Sequence, residues 1–351
     1  MMIRQRHGTD IVRPSEEQLL NPNHRRSALR AGLLAAASLA LPLAGLGRAQ
    51  AEAGRQLRMI CGFPSGGGLD LAARAVAEGL RRQRGWNMIV ENRTGASGRI
   101  AINTLRTAAA EPPSLLMSPI EILTLLPHVY RSVGYDPFAD VVPLASVAAT
   151  PYVVAVDAKS PYRKLEDLIA WCKANSDQAS FGTPGQGTPQ HLLGEALGQE
   201  AGVPLTHVAY KGGPAAMQDV LGGRIPFLIV TQSAASQQVA GGLLRLLAHS
   251  SAEPSPDLPE VPTFVQAGYP SLVAESAFLV FSAPKLPTAL QDELATAIDS
   301  FVRSDGFGAE AKKLGMSAMP LSRGDVATLM RRNYDFWQRA VKLARFEPLD
   351  G

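Results

Sequence analysis

From residue 57 onward the chain alternates between short apolar runs of strand length and longer stretches in which apolar residues recur every three or four positions. The run 57–61 predicts a strand. After it Leu69, Ala72, Ala73, Val76 and Leu80 repeat with helical spacing, while Asp70, Arg74 and Glu78 take another face. A second strand is predicted over 87–90 and a helix over about 99–109. The apolar stretch 115–117 then leads through Ser118-Pro119 into an apolar segment that ends near Leu126. Such repeated strand-to-helix transitions argue for an α/β unit.

A second region starts near Pro151 with a strand over 152–156 and a helix over 165–173. The apolar stretch 179–181 feeds the turn 182–189, where Thr188 suits a helix cap and Pro189 a first helical turn. Leu192, Leu193, Ala196 and Leu197 would form the buried face of that helix. A strand over 207–209, a glycine turn at 212–213 with a helix to 221, and a strand over 225–230 follow. Residues 239–247 carry the chain to a Pro-rich passage at 250–262. A strand over 278–281 and helices over 288–303, 306–313 and 323–345 close the chain. The expected organisation is a first lobe of residues 52–150 plus 265–351 and a second lobe of residues 151–264. A simple linear pair of lobes is the alternative.

The first fifty residues have a different character. Arg25 and Arg26 precede a soft apolar run from Ala31 to Leu46, which ends at Ala49-Gln50-Ala51. This reads as an export signal over residues 1–51. The stretch His24 to Arg30 is similar to a twin-arginine signal, although Ala28 stands where that pattern carries a bulky residue. A retained membrane anchor and a cytoplasmic helix are the other readings of the run. The leader holds seven arginines and three acidic residues, so the formal net charge of +3 becomes 27 basic against 28 acidic residues without it. With no Lys/Arg cluster interleaved with aromatics downstream, nucleic acid is not an expected partner. Cys61 and Cys172 fall in different predicted elements and read as reduced thiols, and His128, His191, His207 and His249 are isolated. No metal site and no cofactor are expected.

The chemistry concentrates in loops. Gly66-Gly67-Gly68 lies between the first strand and the first helix, where unpaired helix-terminal amides can hold an anion and glycine permits close approach. Phe63 and Pro64 add an apolar wall. Asp70 would either stabilise the start of the helix or receive an ammonium group from a ligand. No Lys-Ser or Lys-Thr follows the glycines, and the dinucleotide spacing is absent. Thr183, Gly185, Gly187 and Thr188 form a second candidate surface, or a well-capped helix turn. Tyr210 is placed to close one edge of a cleft, while Ser118 and the stretch from Glu275 to Phe278 are further cleft candidates. No spacing orients a nucleophile against a base and a carboxylate, so catalysis is not expected.

Taken in order, these segments resemble the periplasmic substrate-binding proteins of tripartite tricarboxylate transport systems, the Bordetella-uptake family. The resemblance rests on Gly62-Phe63-Pro64-Ser65-Gly66-Gly67-Gly68-Leu69-Asp70, Glu91-Asn92-Arg93-Thr94-Gly95-Ala96-Ser97-Gly98, Tyr210-Lys211-Gly212-Gly213-Pro214, Leu221-Gly222-Gly223 and Pro259-Glu260-Val261-Pro262-Thr263. It implies an α/β, two-lobed periplasmic binding protein fold of type II-like form, each lobe a central sheet flanked by helices, with the ligand cleft between lobes. It also implies a soluble, monomeric periplasmic protein that captures a small carboxylate or other small organic solute and delivers it to membrane permease subunits. An exported enzyme acting on a small carboxylate, or a ligand-dependent sensor-docking protein, is the alternative. By resemblance, Phe63, Ser65, Gly66, Gly67, Gly68, Thr183, Gly187 and Thr188 would surround the ligand carboxylate, with Tyr210 beside them. Two departures stand out: Gly68-Leu69 replaces the family's Ser-Thr before Asp70, and Pro226 replaces an Asp. Both point to a ligand less hydroxylated or more apolar than a citrate-like acid.

Overall fold

In a computed structural model, which describes residues 54–109, 111–343 and 346–350, the first predicted strand, β1 (Gln56–Cys61), is followed by α1 (Gly68–Arg84), β2 (Asn87–Asn92), α2 (Arg99–Thr107) and β3 (Ser114–Pro119). The export signal expected over residues 1–51 lies outside the described residues. The apolar segment after Ser118-Pro119 divides into two short helices, α3 (Ile120–Thr124) and α4 (Leu126–Val129). Next come β4 (Val142–Asp157), α5 (Leu165–Ala174), β5 (Ser180–Thr183), α6 (Pro189–Ala201), β6 (Thr206–Ala209), α7 (Gly213–Leu221), β7 (Phe227–Thr231), α8 (Gln232–Ala240) and β8 (Leu244–His249). The chain ends with β9 (Glu275–Ser282), α9 (Thr288–Val302), α10 (Asp305–Lys313), β10 (Ser317–Ala318) and α11 (Arg323–Leu343). No helix among the described residues is long and apolar enough to cross a membrane.

The strands hydrogen-bond in the order β2-β1-β3-β9-β4-β7-β5-β6, with β8 and β10 also pairing β4. β1 runs parallel to β2 and β3, while β9 is antiparallel to both β3 and β4. β4 joins two half-sheets. Its residues Val142–Pro151 pair with β9, and from Tyr152 onward it pairs with β7 and β8. β5 is parallel to β6 and β7. The sequence predicted only the distal part of β4, over 152–156, because Pro143, Pro151 and the alanines between them lower strand propensity. The ladder absorbs this with register shifts at Pro143/Ala145 and Ser146/Ala148. Pro151 falls where β4 changes partners, a place that tolerates a residue without an amide donor.

Each half-sheet is covered on both faces. In the first, Leu69, Val76 and Leu80 of α1 pack with Ile298 and Phe301 of α9 against Met59 and Met117, and the other face joins Ile102, Leu105 and Met330 to Ile60 and Phe281. In the second, Leu168 and Leu197 meet Val154 and Phe227, and on the opposite face Met217 and Val220 meet Val153 and Val230. Phe264 and Leu272 belong to this second half-sheet's core, so the chain leaves it only just before Glu275. Cys61 and Cys172 are buried and free, each in a different core.

Candidate functional site

Four helices aim their N-termini into one pocket between the half-sheets. Gly67 and Gly68 at the start of α1, Thr188 and Pro189 at α6, Gly213 and Pro214 at α7, and Thr231 and Ala234 at α8 all line one cavity. Gly67, Thr188 and Gly212 make no side-chain cap hydrogen bond, whereas Thr231 accepts from the Ala234 amide. The first amides of a helix lack intrahelical acceptors, and each helix end favours an anion by about 0.3–1 kcal/mol, more where water is excluded. Among the described residues no Arg, Lys or His lines the cavity; Phe63, Pro64, Ile122, Pro184 and Phe278 give it apolar walls. An anion here would be met by backbone donors.

The first loop owes its shape to Asp70. Its carboxylate is buried; Oδ2 accepts from the Gly66 amide at 3.0 Å, Ser65 Oγ at 3.2 Å and Arg74 Nε at 2.9 Å, while Oδ1 accepts from Arg74 Nη2 and Asn92 Nδ2, both at 3.0 Å. Asn92 also donates to the Phe63 carbonyl at 2.9 Å. Burial alone would raise the Asp70 carboxyl, but the bonds from Arg74, Gly66 and Asn92 hold it below the ordinary carboxylate range. Of the two roles considered for Asp70, the geometry matches stabilisation of the loop and helix start. Ser65 and Gly66 belong to the same staple and are exposed, with Gly66 at φ +80°.

The 183–191 turn is also held by its own side chains. Thr183 Oγ1, fully buried, lies 3.0 Å from the Gly185 carbonyl and 2.7 Å from His207 Nε2. His207 stacks on His191 at 3.7 Å between centroids, and the Gly187 amide donates to His191 Nδ1 at 3.1 Å. Burial, followed by the neighbouring His191, pushes His207 down to about 3, so this stacked ring is neutral. Thr188 Oγ donates to the Gly185 carbonyl at 2.8 Å and still lines the pocket.

Of the residues singled out in the sequence, the structure brings Phe63, Gly67, Gly68 and Thr188 together at the pocket. Ser65, Gly66, Asp70, Thr183 and Gly187 shape the loops behind it. Tyr210 donates to Asp219 Oδ2 at 2.8 Å and lines an adjoining cavity with Phe63 and Ser97; burial and Asp219 push its phenol up to about 12. Ser118 is buried against the Pro119 carbonyl, and Pro119 takes its place at the wall. Glu275 is exposed and lies outside the pocket, which Ser276 and Phe278 line instead. Strand alternation puts residues 276 and 278 on one face and 275 on the other. Glu121, Tyr152, Gln190 and Thr231 also line the pocket and were not anticipated. For Glu121 the readable signal was one carboxylate inside the apolar run 120–126.

Glycines also set how closely the two halves approach. A Cβ at Gly68 would lie 2.1 Å from Ser233 Oγ, at Gly212 2.5 Å from Pro64 Cδ, at Gly185 2.7 Å from Ser97 Oγ and at Gly187 2.8 Å from Tyr130 Cε2. Ser97 Oγ and the Tyr130 hydroxyl both donate to the Gln186 carbonyl, at 2.8 and 2.9 Å. The pocket is therefore enclosed by contacts that a side chain at any of these glycines would obstruct.

Comparison with known proteins bears on the family and the fold. Residues 72–344 match the family model described as the tripartite tricarboxylate transporter family receptor, TctC. Protein BugT of Bordetella pertussis is 31% identical over 308 residues, covering 85% of this chain and 92% of BugT. Among solved structures, the periplasmic binding protein BugD superposes with a TM-score of 0.79 at 26% identity, covering 84% of this chain and 99% of BugD. R. palustris Rpa4515 with adipate gives 0.80 at 28% identity, covering 84% and 99%. The fold is thus the α/β, two-lobed periplasmic binding protein fold, and the chain belongs to the tripartite tricarboxylate transporter receptor family.

Proposed function

We propose that this protein is an extracytoplasmic receptor that captures a small carboxylate-bearing solute by closure of its two lobes and passes it to a tripartite tricarboxylate-type permease. The observation that carries this reading is the convergence of four helix N-termini on an apolar-walled pocket without a side-chain cation. The adipate found with the R. palustris relative supports the carboxylate class. We place the solute carboxylate against the amide ends of α1, α6 and α7, with Phe63, Gly67, Gly68 and Thr188 as contacts. The lobes are residues 52–150 with the C-terminal return, and residues 151 to the return. The packing of Leu272 with the second half-sheet supports a second crossing near 274–276, later than the 265 expected from the sequence. The mature protein is monomeric and periplasmic once residues 1–51 are cleaved. It binds rather than catalyses, in keeping with the binding proteins and receptor family it matches.

The test is a thermal-shift and solution-scattering panel on the mature protein. Small mono- and dicarboxylates raise the melting temperature and reduce the radius of gyration, and their methyl esters and primary amides do neither. A panel of folded protein in which no carboxylate has either effect sinks the ligand class.

A further inference from the structure

We propose that the solute carries an ammonium group as well as its carboxylate, and that Glu121 is the acceptor for that ammonium. The inference rests on the carboxylate reading above and goes beyond it by naming a second group that the pocket recognises.

Glu121 lies on α3 at 2% exposure and lines the pocket together with Tyr152 and Ser276. Ser276 Oγ donates to Glu121 Oε2 at 3.0 Å, and the Tyr152 hydroxyl hydrogen-bonds with both side chains. These neutral donors fix the carboxylate without neutralising it. Buried carboxylates are ordinarily paired with a cation, and no Lys, Arg or His lines the pocket. A ligand ammonium supplies what is missing, as donor and as counter-ion together. A second ligand carboxylate at the same place would face a like charge. Phe63, Ile122 and Phe278 add apolar surface to the same cavity, which suits a ligand with methylene groups.

The groups around Glu121 reinforce the sign. Burial pushes its carboxyl up to about 7, opposed only by hydrogen bonds from its own backbone amide, Ser276 and Tyr152. The titratable group bonded to Glu121 is Tyr152 on β4, and Glu275 on β9 borders the same second cavity as Glu121. In that cavity α11 presents Asn333 and Trp337 and α6 presents Pro189 and Leu192, none of them titratable. A carboxyl raised in the folded state binds an extra proton there, so its contribution to ligand-free stability falls as pH rises from about 4.5 through 7. A ligand ammonium removes that disadvantage by favouring the ionised form.

Isothermal titration of the mature protein tests this with 4-aminobutanoate, 5-aminopentanoate and 6-aminohexanoate, each against the unsubstituted acid and the dicarboxylate of equal carbon number. At pH 8 the best amino acid binds at least about tenfold tighter than its dicarboxylate, and its affinity falls about tenfold at pH 6 as Glu121 takes up a proton. Glu121→Gln abolishes both the amine preference and the pH dependence, and raises the ligand-free melting temperature at pH 8. Simple acids that bind with no gain from the amine, dicarboxylates that bind as well, or an amine affinity unchanged between pH 6 and pH 8 would each overturn the ammonium assignment while leaving the carboxylate reading intact. Binding of none of these acids would overturn both. The wild-type pH profile decides the matter even if Glu121→Gln does not fold.

Discussion

Alanine at Gly68 is expected to separate binding from stability. Gly68 opens α1, where alanine is the better helix former by up to about 1 kcal/mol, so the ligand-free protein keeps or gains stability. In this structure the new Cβ would sit 2.1 Å from Ser233 Oγ and 2.8 Å from Ser233 Cβ at the N-terminus of α8. Rotating the serine hydroxyl relieves the first contact but not the second, so the helix ends must part. Overpacking of this kind costs about 1–3 kcal/mol, which is roughly ten- to hundredfold in affinity for whichever carboxylate binds the wild type. Adding Ser233→Gly removes the obstructing atoms and restores most of the lost affinity. Titration calorimetry on the single and double variants reads the effect. Wild-type affinity in Gly68→Ala would mean that α1 and α8 do not meet when ligand is bound.

Asp70 carries the opposite expectation, a large loss of stability. Asp70→Ala leaves the Gly66 amide without its acceptor, Asn92 with only the Phe63 carbonyl, and Arg74 without its ion pair. Hydrogen bonds to a buried carboxylate contribute strongly, while the half-exposed Arg74 regains water, so the cost is about 2–4 kcal/mol. The pH dependence has a definite sign. A carboxyl lowered in the folded state contributes stability that is complete above its unfolded pKa near 4 and is lost as pH falls through its lower folded value. Chemical denaturation from pH 7 down to pH 2 therefore shows the wild-type advantage over Asp70→Ala shrinking only below about pH 4. An advantage that persists unchanged to pH 2 would contradict the role given to this carboxylate.

The periodic helices and the parallel strands were legible because their signals are local. Asp70 and Arg74, one helical turn apart, were read onto one face, but their pairing was not. Asn92, the third member of that staple, lies beyond a whole helix, and nothing local ties it to the loop. The glycines were legible only in part. Their freedom to approach an anion was read from the sequence, and Gly67 and Gly68 do line the pocket. Their service in the approach of the two halves depends on Ser233, Pro64, Ser97 and Tyr130, which sequence distance hides. The proximal part of β4 was obscured by Pro143 and Pro151, whose cost is absorbed by register shifts and a change of partner visible only once β9 is in place. At the start of β9, residue polarity drew attention to Glu275, whereas period-2 alternation favoured the neighbouring Ser276. Glu121 was readable as an anomaly, but its meaning needed Tyr152 and Ser276 from two other strands.

The most direct measurement is a mass-spectrometric inventory of small molecules released by denaturing the gently purified mature protein, with Gly68→Ala prepared in parallel. The account predicts one small carboxylic acid released in near-stoichiometric amount from the wild type and strongly depleted from the variant. A stoichiometric ligand without a carboxylate, or the same acid retained equally by both proteins, would contradict it.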